Sequence, residues 1–100
     1  MTSHEPDEEL KKQVSALPDS PGVYLFKNDR GDIIYIGKAV SLKSRVRSYW
    51  NKASWRERPK LFVMMPRVAK LETVLTHSEK EALLLEATLI RKHLPRYNVA

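Results

Sequence analysis

Two glycines that stand next to tyrosines in neighbouring apolar segments constrain this chain more than any other feature. One segment begins with Gly22-Val23-Tyr24, the next contains Tyr35-Ile36-Gly37, and ten residues separate the two tyrosines. Glycine weakens a strand, and inside one it usually marks a bulge or a close approach by a ligand or another backbone. Turn-forming residues at 28–31 lie between the segments, so they predict a β-hairpin. We therefore expect a functional site on this hairpin.

The length of the hairpin loop decides whether the two phenols meet. A four-residue loop over 28–31 would pair Lys27 with Asp32. In that register Tyr24 would pair directly with Tyr35, and directly paired residues point to the same face of a sheet. A loop one residue longer or shorter would place the tyrosines on opposite faces. The prediction of neighbouring phenols thus depends on the register.

The remaining patterns predict helix, two strands, helix, linker, strand, helix. Helices are expected over 7–16, over 41–50 with Ser41 as N-cap, and from the capping box Ser78-x-x-Glu81 to about His93; strands are expected over 23–27, 32–36 and 71–76. Two prolines, Pro59 and Pro66, interrupt the unassigned linker over 51–69. This order indicates a small α+β domain on a short antiparallel sheet. One hundred residues suit a single domain, with an N-terminal helix at 1–16 and a core at 17–99.

The positive charge of the chain is concentrated in one block. Residues 38–70 carry ten basic and one acidic side chain, a balance of +9, whereas residues 1–21 carry a balance of −3. Aromatic residues interrupt the basic block, which predicts contact with a phosphate backbone and unstacked bases. A solvated basic face is the alternative. The side chains expected to contact DNA are Lys43, Arg47, Lys52, Arg56, Arg58 and Lys60.

Several classes of protein are disfavoured by composition. The chain has no cysteine, so it forms no disulfide, zinc-thiolate site or cysteine nucleophile. Its acidic N-terminus lacks the apolar core of a signal peptide, and no apolar run approaches membrane-spanning length. We expect a cytoplasmic location, no membrane partner and a monomeric domain.

Glu86 is a carboxylate within an apolar helical run from Ala82 to Ile90. Helical geometry places it inside the apolar arc, where lost hydration costs several kcal/mol unless a positive charge meets it. A hard divalent cation is one compensation, because magnesium often uses one or two carboxylates, several waters and substrate phosphate oxygens. A structural salt bridge to an arginine is the other, and the helix alone favours it.

Tyr35 and Arg45 have side chains suited to phosphate chemistry. A phenol has a pKa near ~10 and is a poor base at neutral pH, but a nearby positive charge such as that of Lys38 favours the phenolate. Arg45 lies within about 60° of the apolar stripe of its helix, so it should lean toward the protein and could stabilise charge on a phosphate. Taken alone, the tyrosines also fit ordinary core positions, and the arginine fits an ordinary helix surface.

Together these segments resemble the GIY-YIG nuclease family, and most closely its UvrC-type branch. The resemblance covers about Leu17 to Val99. The segments that carry it are Pro21–Phe26, Tyr35–Ala39, Leu42–Tyr49, Glu81–Glu86 and Pro95–Val99. It implies a three-stranded antiparallel sheet flanked by helices, and phosphodiester hydrolysis with one divalent metal, Mg²⁺ or Mn²⁺.

The resemblance also implies roles for individual residues. Glu86 would bind the metal, Tyr35 would be the general base positioned with Lys38, and Arg45 would contact the scissile phosphate. The full catalytic set implied is Tyr24, Tyr35, Lys38, Arg45, Tyr49, Glu86 and Asn98.

In the UvrC-type branch, this kind of domain makes the incision 3′ to a lesion after UvrB has loaded the DNA. The implied partners are damaged duplex DNA and, through regions outside this chain, UvrB; we expect the domain to be excised from a longer protein. Two alternatives stay open: a noncatalytic basic-aromatic DNA-binding module with a structural Glu86, and a stand-alone GIY-YIG nuclease of another subfamily. A metal ion at Glu86 would separate enzyme from module.

Overall fold

The fold is described by a computed structural model that covers residues 8–98. Its helices and strands are α1 (Glu8–Ser15), β1 (Gly22–Lys27), β2 (Ile33–Ala39), α2 (Leu42–Ser48), α3 (Lys60–Met64), β3 (Lys70–Leu75) and α4 (Glu79–His93). Short 3₁₀ helices at Lys52–Arg56 and Met65–Arg67 lie, together with α3, in the segment over 51–69 that the sequence pattern left unassigned. The strands form one antiparallel sheet in the order β2-β1-β3. The predicted α+β class and element order are confirmed; the predicted helix start at Asp7, and Val99, lie outside the described residues.

The β1–β2 hairpin closes with a shorter loop than the four residues considered above. The Asn28 N–H donates to the Asp32 carbonyl at 3.0 Å, and the Gly31 N–H donates to the Asn28 carbonyl at 3.0 Å. Gly31 has φ 84°, a left-handed conformation that glycine adopts at little cost. The result is a three-residue loop of the kind that carries a left-handed residue before a bulge.

A bulge next to this loop shifts the register of β2 further. Lys27 pairs with Ile33, but Phe26 pairs with Tyr35 and Tyr24 pairs with Gly37. Direct pairing of Tyr24 with Tyr35 was therefore a wrong prediction. Relative to that prediction the tyrosine-bearing part of β2 moves by two residues, and an even shift keeps each side chain on its face of the sheet.

The two faces of the sheet have separate cores. One face, here called the tyrosine face, carries Tyr24 and Phe26 and packs against α1, α2 and the segment over 55–68. The opposite face, the α4 face, carries Val23, Leu25 and Ile36 and is covered by one side of α4. Helix α4 begins as predicted, with the Ser78 hydroxyl accepting from the Glu81 N–H at 3.1 Å. Within residues 8–98, no helix is long and apolar enough to cross a membrane.

Helix α2 follows directly from its sequence pattern. The Ser41 hydroxyl accepts from the Ser44 N–H at 3.2 Å, which is the predicted N-cap. Leu42, Val46 and Tyr49 are all completely buried, so the predicted apolar stripe is confirmed. Burial of this stripe fixes the rotation of α2 and therefore the direction in which Arg45 extends.

Candidate active site

Three tyrosines converge on the tyrosine face. The ring centroids of Tyr24 and Tyr35 are 6.3 Å apart, as are those of Tyr35 and Tyr49, and those of Tyr24 and Tyr49 are 5.6 Å apart. The Tyr24 and Tyr49 hydroxyls share a buried hydrogen bond of 2.6 Å, in which either group can donate. Tyr24 and Tyr35 are thus diagonal neighbours across the strands instead of a direct pair. We call these three residues the phenol cluster.

The two glycines beside tyrosines are explained by internal packing. A Cβ on Gly37 would overlap the Tyr24 ring, whose Cε2 would lie 2.7 Å from it. A Cβ on Gly22 would lie 2.5 Å from the Val74 carbonyl oxygen and 2.7 Å from the Leu42 Cδ1. The close approach inferred from the sequence therefore exists at both positions, but the approaching groups belong to the protein itself.

The members of the phenol cluster differ in their access to solvent. Tyr24 is 1% exposed and Tyr49 is completely buried, whereas Tyr35 is only partly buried. A group that exchanges a proton with water or substrate must reach the surface. Tyr35 is the member of the cluster that does so.

Cationic side chains surround the phenol cluster. The Arg58 Nη2 donates to the Tyr49 hydroxyl at 3.2 Å, and its Cζ lies 4.7 Å from the Tyr49 ring centroid. The Arg45 Cζ lies 5.5 Å from the same centroid, consistent with the inward lean expected of it. The Lys60 Nζ lies 5.0 Å from the Tyr35 ring centroid. Each contact is close enough for a favourable cation–π interaction.

The protonation of the phenol cluster is dominated by burial. Burial and the neighbouring Tyr49 raise the pKa of Tyr35 to about 12, although Arg58 and Arg45 oppose this rise. Burial and Tyr49 raise the pKa of Tyr24 well above its usual value as well. Burial would lower the pKa of Arg45, but its hydrogen bonding and attraction to Tyr24 raise it. Both phenols are therefore neutral at pH 7, and the predicted acidification of Tyr35 is wrong for the protein alone.

Lys38 was expected to supply the positive charge near Tyr35. Residues three apart on a strand point to opposite faces, and Lys38 pairs with Val23 on the α4 face. The cations near the Tyr35 phenol are Arg58 and Arg45, which oppose the rise of its pKa, and Lys60, whose Nζ lies over its ring. The predicted partnership between Tyr35 and Lys38 was therefore wrong, because it relied on chain spacing without strand alternation.

Lys38 and Arg45 instead line one groove, between α2, the end of β2 and the start of α4. The groove has a volume of about 770 Å³, and α4 contributes Glu79, Lys80, Ala82 and Leu83 to its lining. Three basic side chains and one acidic side chain thus line the groove, and this excess of basic groups suits the binding of a phosphate.

Glu86 lies on α4 one helical turn beyond Ala82 and is half-buried. The ion pairs within residues 8–98 are Lys27–Glu72 and Arg30–Asp32, so the salt bridge favoured by the helix alone is not formed there. No hydrogen bond to the Glu86 carboxylate occurs in this part of the chain either. A partly desolvated carboxylate without a protein cation fits a hard divalent metal.

The rest of a metal's coordination shell would come from outside the protein. No group of three or more histidine, cysteine, aspartate or glutamate side chains in residues 8–98 is arranged to hold a metal ion. Magnesium usually retains several waters and binds through one or two carboxylates plus substrate phosphate. Glu86 would supply the protein carboxylate of such a site.

Asn98 binds the free edge of β2. Its side-chain amide accepts from the Ile36 N–H at 2.8 Å and donates to the Ile36 carbonyl at 2.8 Å. Beside it, the Tyr97 N–H donates to the Ile34 carbonyl at 3.0 Å, and the Lys60 Nζ donates to the Tyr97 carbonyl at 3.1 Å. Asn98 therefore positions the strand that carries Tyr35, with both functions of its amide already engaged.

The predicted DNA-contacting residues fall into two groups. Lys43, Arg47, Lys52 and Arg56 are exposed. Arg58, which is partly buried, and Lys60, which is also exposed, lie against the phenol cluster. The sequence carries no periodic signal that reveals this, because the segment around Pro59 alternates between turn and short helix.

Comparisons with known proteins agree with this arrangement. The sequence model of the UvrC-like GIY-YIG domain matches residues 20–99. UvrABC system protein C of Geobacter metallireducens is 52% identical over 89 residues, which are 89% of this chain and 14% of that protein. The corresponding protein of Dehalococcoides mccartyi strain BAV1 is 49% identical over 94 residues, which are 94% of this chain and 15% of that protein. The chain thus spans about one seventh of the length of these curated relatives.

A solved structure shows the same fold. The GIY-YIG N-terminal endonuclease domain of UvrC from Thermotoga maritima, bound to magnesium as its catalytic divalent cation, has a TM-score of 0.81 and 44% identity; the match covers 93% of this chain and 99% of that one. An asparagine-to-alanine and a tyrosine-to-phenylalanine mutant of that domain are also bound to the catalytic cation. The predicted fold is confirmed by these matches, and the related domain binds a divalent cation of the kind predicted from this sequence. The chain therefore belongs to the family of UvrC-like GIY-YIG endonuclease domains.

Proposed function

We propose that this domain hydrolyses a phosphodiester bond of damaged duplex DNA and makes the 3′ incision of nucleotide excision repair with one divalent metal, Mg²⁺ or Mn²⁺. The observation that carries the proposal is the environment of Glu86. This residue is half-buried and has no cationic partner in residues 8–98. It lies on α4 one turn beyond Ala82, which lines the same groove as Lys38 and Arg45. The magnesium of the Thermotoga maritima domain supports the same reading.

The residues of the groove would bind and orient the phosphate. Glu86 would hold the metal, which when bound would neutralise charge on the phosphate and stabilise the leaving oxygen. Arg45, held beside Tyr24 and Tyr49, would direct a fixed positive charge at the phosphate as its negative charge increases. Lys38, which lines the same groove, would bind the same phosphate or its neighbour.

Tyr35 would take the proton from the attacking water. It is the accessible phenol of the cluster, and its edge strand is held by Asn98. With a pKa of about 12, its phenolate fraction at pH 8 is on the order of 10⁻⁴. The rate of proton abstraction should therefore increase with pH. Tyr24 and Tyr49 are buried, and their rings would hold Tyr35 and Arg45 in position by packing against them.

The function of the domain would depend on a longer protein. Its relatives are about seven times longer than this chain, so lesion recognition and contact with UvrB would lie in regions beyond these residues. A protein that repairs chromosomal DNA in bacteria would act in the cytoplasm.

Metal binding and chemistry can be tested separately. Titration of Mn²⁺ into the domain, followed by electron paramagnetic resonance, should show one site that Glu86→Gln abolishes. Glu79→Gln is the matched control, because Glu79 is on the same helix and lines the groove. Glu86→Gln should also eliminate incision by the full-length protein without changing the circular dichroism spectrum of the domain. Undiminished Mn²⁺ binding by Glu86→Gln would contradict the metal assignment, and DNA binding without any metal-dependent incision would favour a noncatalytic module.

A further inference from the structure

Arg58 has an environment unlike that of the other basic side chains in the 38–70 block. It lies in the turn between the Lys52–Arg56 3₁₀ helix and α3, and it is partly buried, whereas Arg56 is exposed. Its guanidinium both donates a hydrogen bond to the Tyr49 hydroxyl at 3.2 Å and lies over the Tyr49 ring at 4.7 Å. A guanidinium engaged on both counts with a buried phenol is not free to track a phosphate backbone.

The hydrogen bond from Arg58 constrains the hydroxyl of Tyr49. A guanidinium has only donors, so the Tyr49 oxygen must accept. Accepting from a cation polarises the Tyr49 O–H and strengthens it as a donor. The 2.6 Å bond between the Tyr49 and Tyr24 hydroxyls can still run in either direction. Arg58 therefore fixes the Tyr49 oxygen as an acceptor and turns the Tyr49 O–H away from the guanidinium.

The charge of Arg58 also acts on Tyr35. The groups that face Tyr35 are Tyr24 from β1, Arg45 from α2, Tyr49 after α2, Arg58 from the following turn and Lys60 from α3. Of the two arginines that favour its phenolate, Arg58 has the larger effect. A nearby cation stabilises the charged form of a phenol because the interaction occurs where water is partly excluded.

We propose that Arg58 is a positioning residue for phosphodiester hydrolysis: it orients the Tyr49 hydroxyl and supplies positive charge to the phenol cluster. This role rests on the proposed function of Tyr35 as the base. It differs from the role of the exposed basic residues, which would hold DNA without touching the cluster.

The test compares Arg58→Met with Arg56→Met, a matched removal of one positive charge two residues away. Arg58→Lys is the second variant, because it keeps the charge if the loss of Arg58 prevents folding. Each protein is made with 3,5-difluorotyrosine, whose phenol ionises closer to neutrality, and its four tyrosines are titrated by ¹⁹F NMR. The salt dependence of DNA binding and the single-turnover incision rate are measured on the full-length protein assembled with UvrB.

Arg58→Met should raise the pKa of a cluster resonance by about one unit and reduce incision about tenfold below that pKa, while leaving the salt slope unchanged. Arg58→Lys should recover part of both effects. Arg56→Met should leave the titration unchanged and reduce the salt slope by about one.

Two results would overturn the proposal. An unshifted titration with a reduced salt slope for Arg58→Met would assign Arg58 to the phosphate backbone. A shifted titration with wild-type incision would show that the charge on the cluster has no part in the reaction. If the unsubstituted protein makes no incision, the proposed function fails, and the titration still decides whether Arg58 acts on the phenols.

Discussion

The aromatic ring of Tyr24 covers Gly37, its direct partner on the neighbouring strand. The absence of a side chain on Gly37 lets the ring lie flat across β2, and this places the Tyr24 hydroxyl 2.6 Å from that of Tyr49. A glycine that weakens an edge strand is thereby compensated by an aromatic side chain on the adjacent strand. The same contact connects the hairpin to the residue that follows α2.

Gly37→Ala should displace the Tyr24 ring and break its hydrogen bond to Tyr49. Overpacking of a buried position typically costs about 1–3 kcal/mol, so the free energy of unfolding measured in urea should decrease by that amount. Gly31→Asn is the control, because Asn tolerates the left-handed conformation of the loop and no atom lies within 4 Å of a Cβ there. Equal stability of Gly37→Ala and the parent would show that the Tyr24 ring can move aside without loss of packing.

Tyr35→Phe should reduce the chemical step of incision by at least ~10²-fold, whereas Tyr24→Phe should cost less. The reason is access: Tyr35 reaches the surface, and Tyr24 is 1% exposed behind it. Single-turnover cleavage by the full-length protein with UvrB, measured against pH for both variants, is the appropriate experiment. Loss of activity in Tyr24→Phe with a normal rate in Tyr35→Phe would require the two roles to be exchanged. Mn²⁺ binding should persist in both variants, since neither loses a carboxylate.

The stability of the domain should decrease at alkaline pH. Burial raises the pKa of Tyr35 to about 12, and that of Tyr24 rises as well, so between about pH 10 and 12 the unfolded chain binds fewer protons than the folded one. The free energy of unfolding then decreases with increasing pH across this window. The stabilisation that comes from the protonated phenols is fully present below about pH 10. Urea unfolding between pH 8 and 11 measures it. The double variant Tyr24→Phe, Tyr35→Phe should have a flatter profile, and an identical slope would exclude the cluster as its source.

Asn98→Ala should loosen the edge of β2 at Ile36. Both backbone groups of Ile36 lose their 2.8 Å partners, and the loss of two hydrogen bonds in a partly buried site should destabilise the domain by about 1–3 kcal/mol. Hydrogen exchange at the Ile36 amide should accelerate at least tenfold. Asn51→Ala provides the control, because Asn51 accepts from the Ala53 N–H in a surface 3₁₀ turn and should not affect Ile36. Unchanged protection of Ile36 in Asn98→Ala would refute the positioning role.

Local sequence signals determined which segments became helices and strands. Ser41 and Ser78 accept hydrogen bonds from N–H groups within three residues of themselves, and Leu42, Val46 and Tyr49 repeat with helical spacing. Such patterns involve neighbours along the chain, so they are legible without a fold. The sequence placed Tyr24 and Tyr35 on one face only for a four-residue loop. The shorter loop and the bulge each shift β2 by one residue, and the two shifts together keep both tyrosines on that face.

Only the tertiary structure decided which side chains meet. The bulge in β2, the contact of the Tyr24 ring with Gly37 and the hydrogen bonds of Asn98 to Ile36 join residues 6 to 62 positions apart. Arg58 contacts the phenol cluster although its segment has no periodic pattern. Lys38 is close to Tyr35 in sequence but lies on the opposite face of the sheet. The physical reason is that local propensity acts over a few residues, whereas these contacts follow from how the sheet, α2 and the C-terminal segment bury their apolar surfaces together.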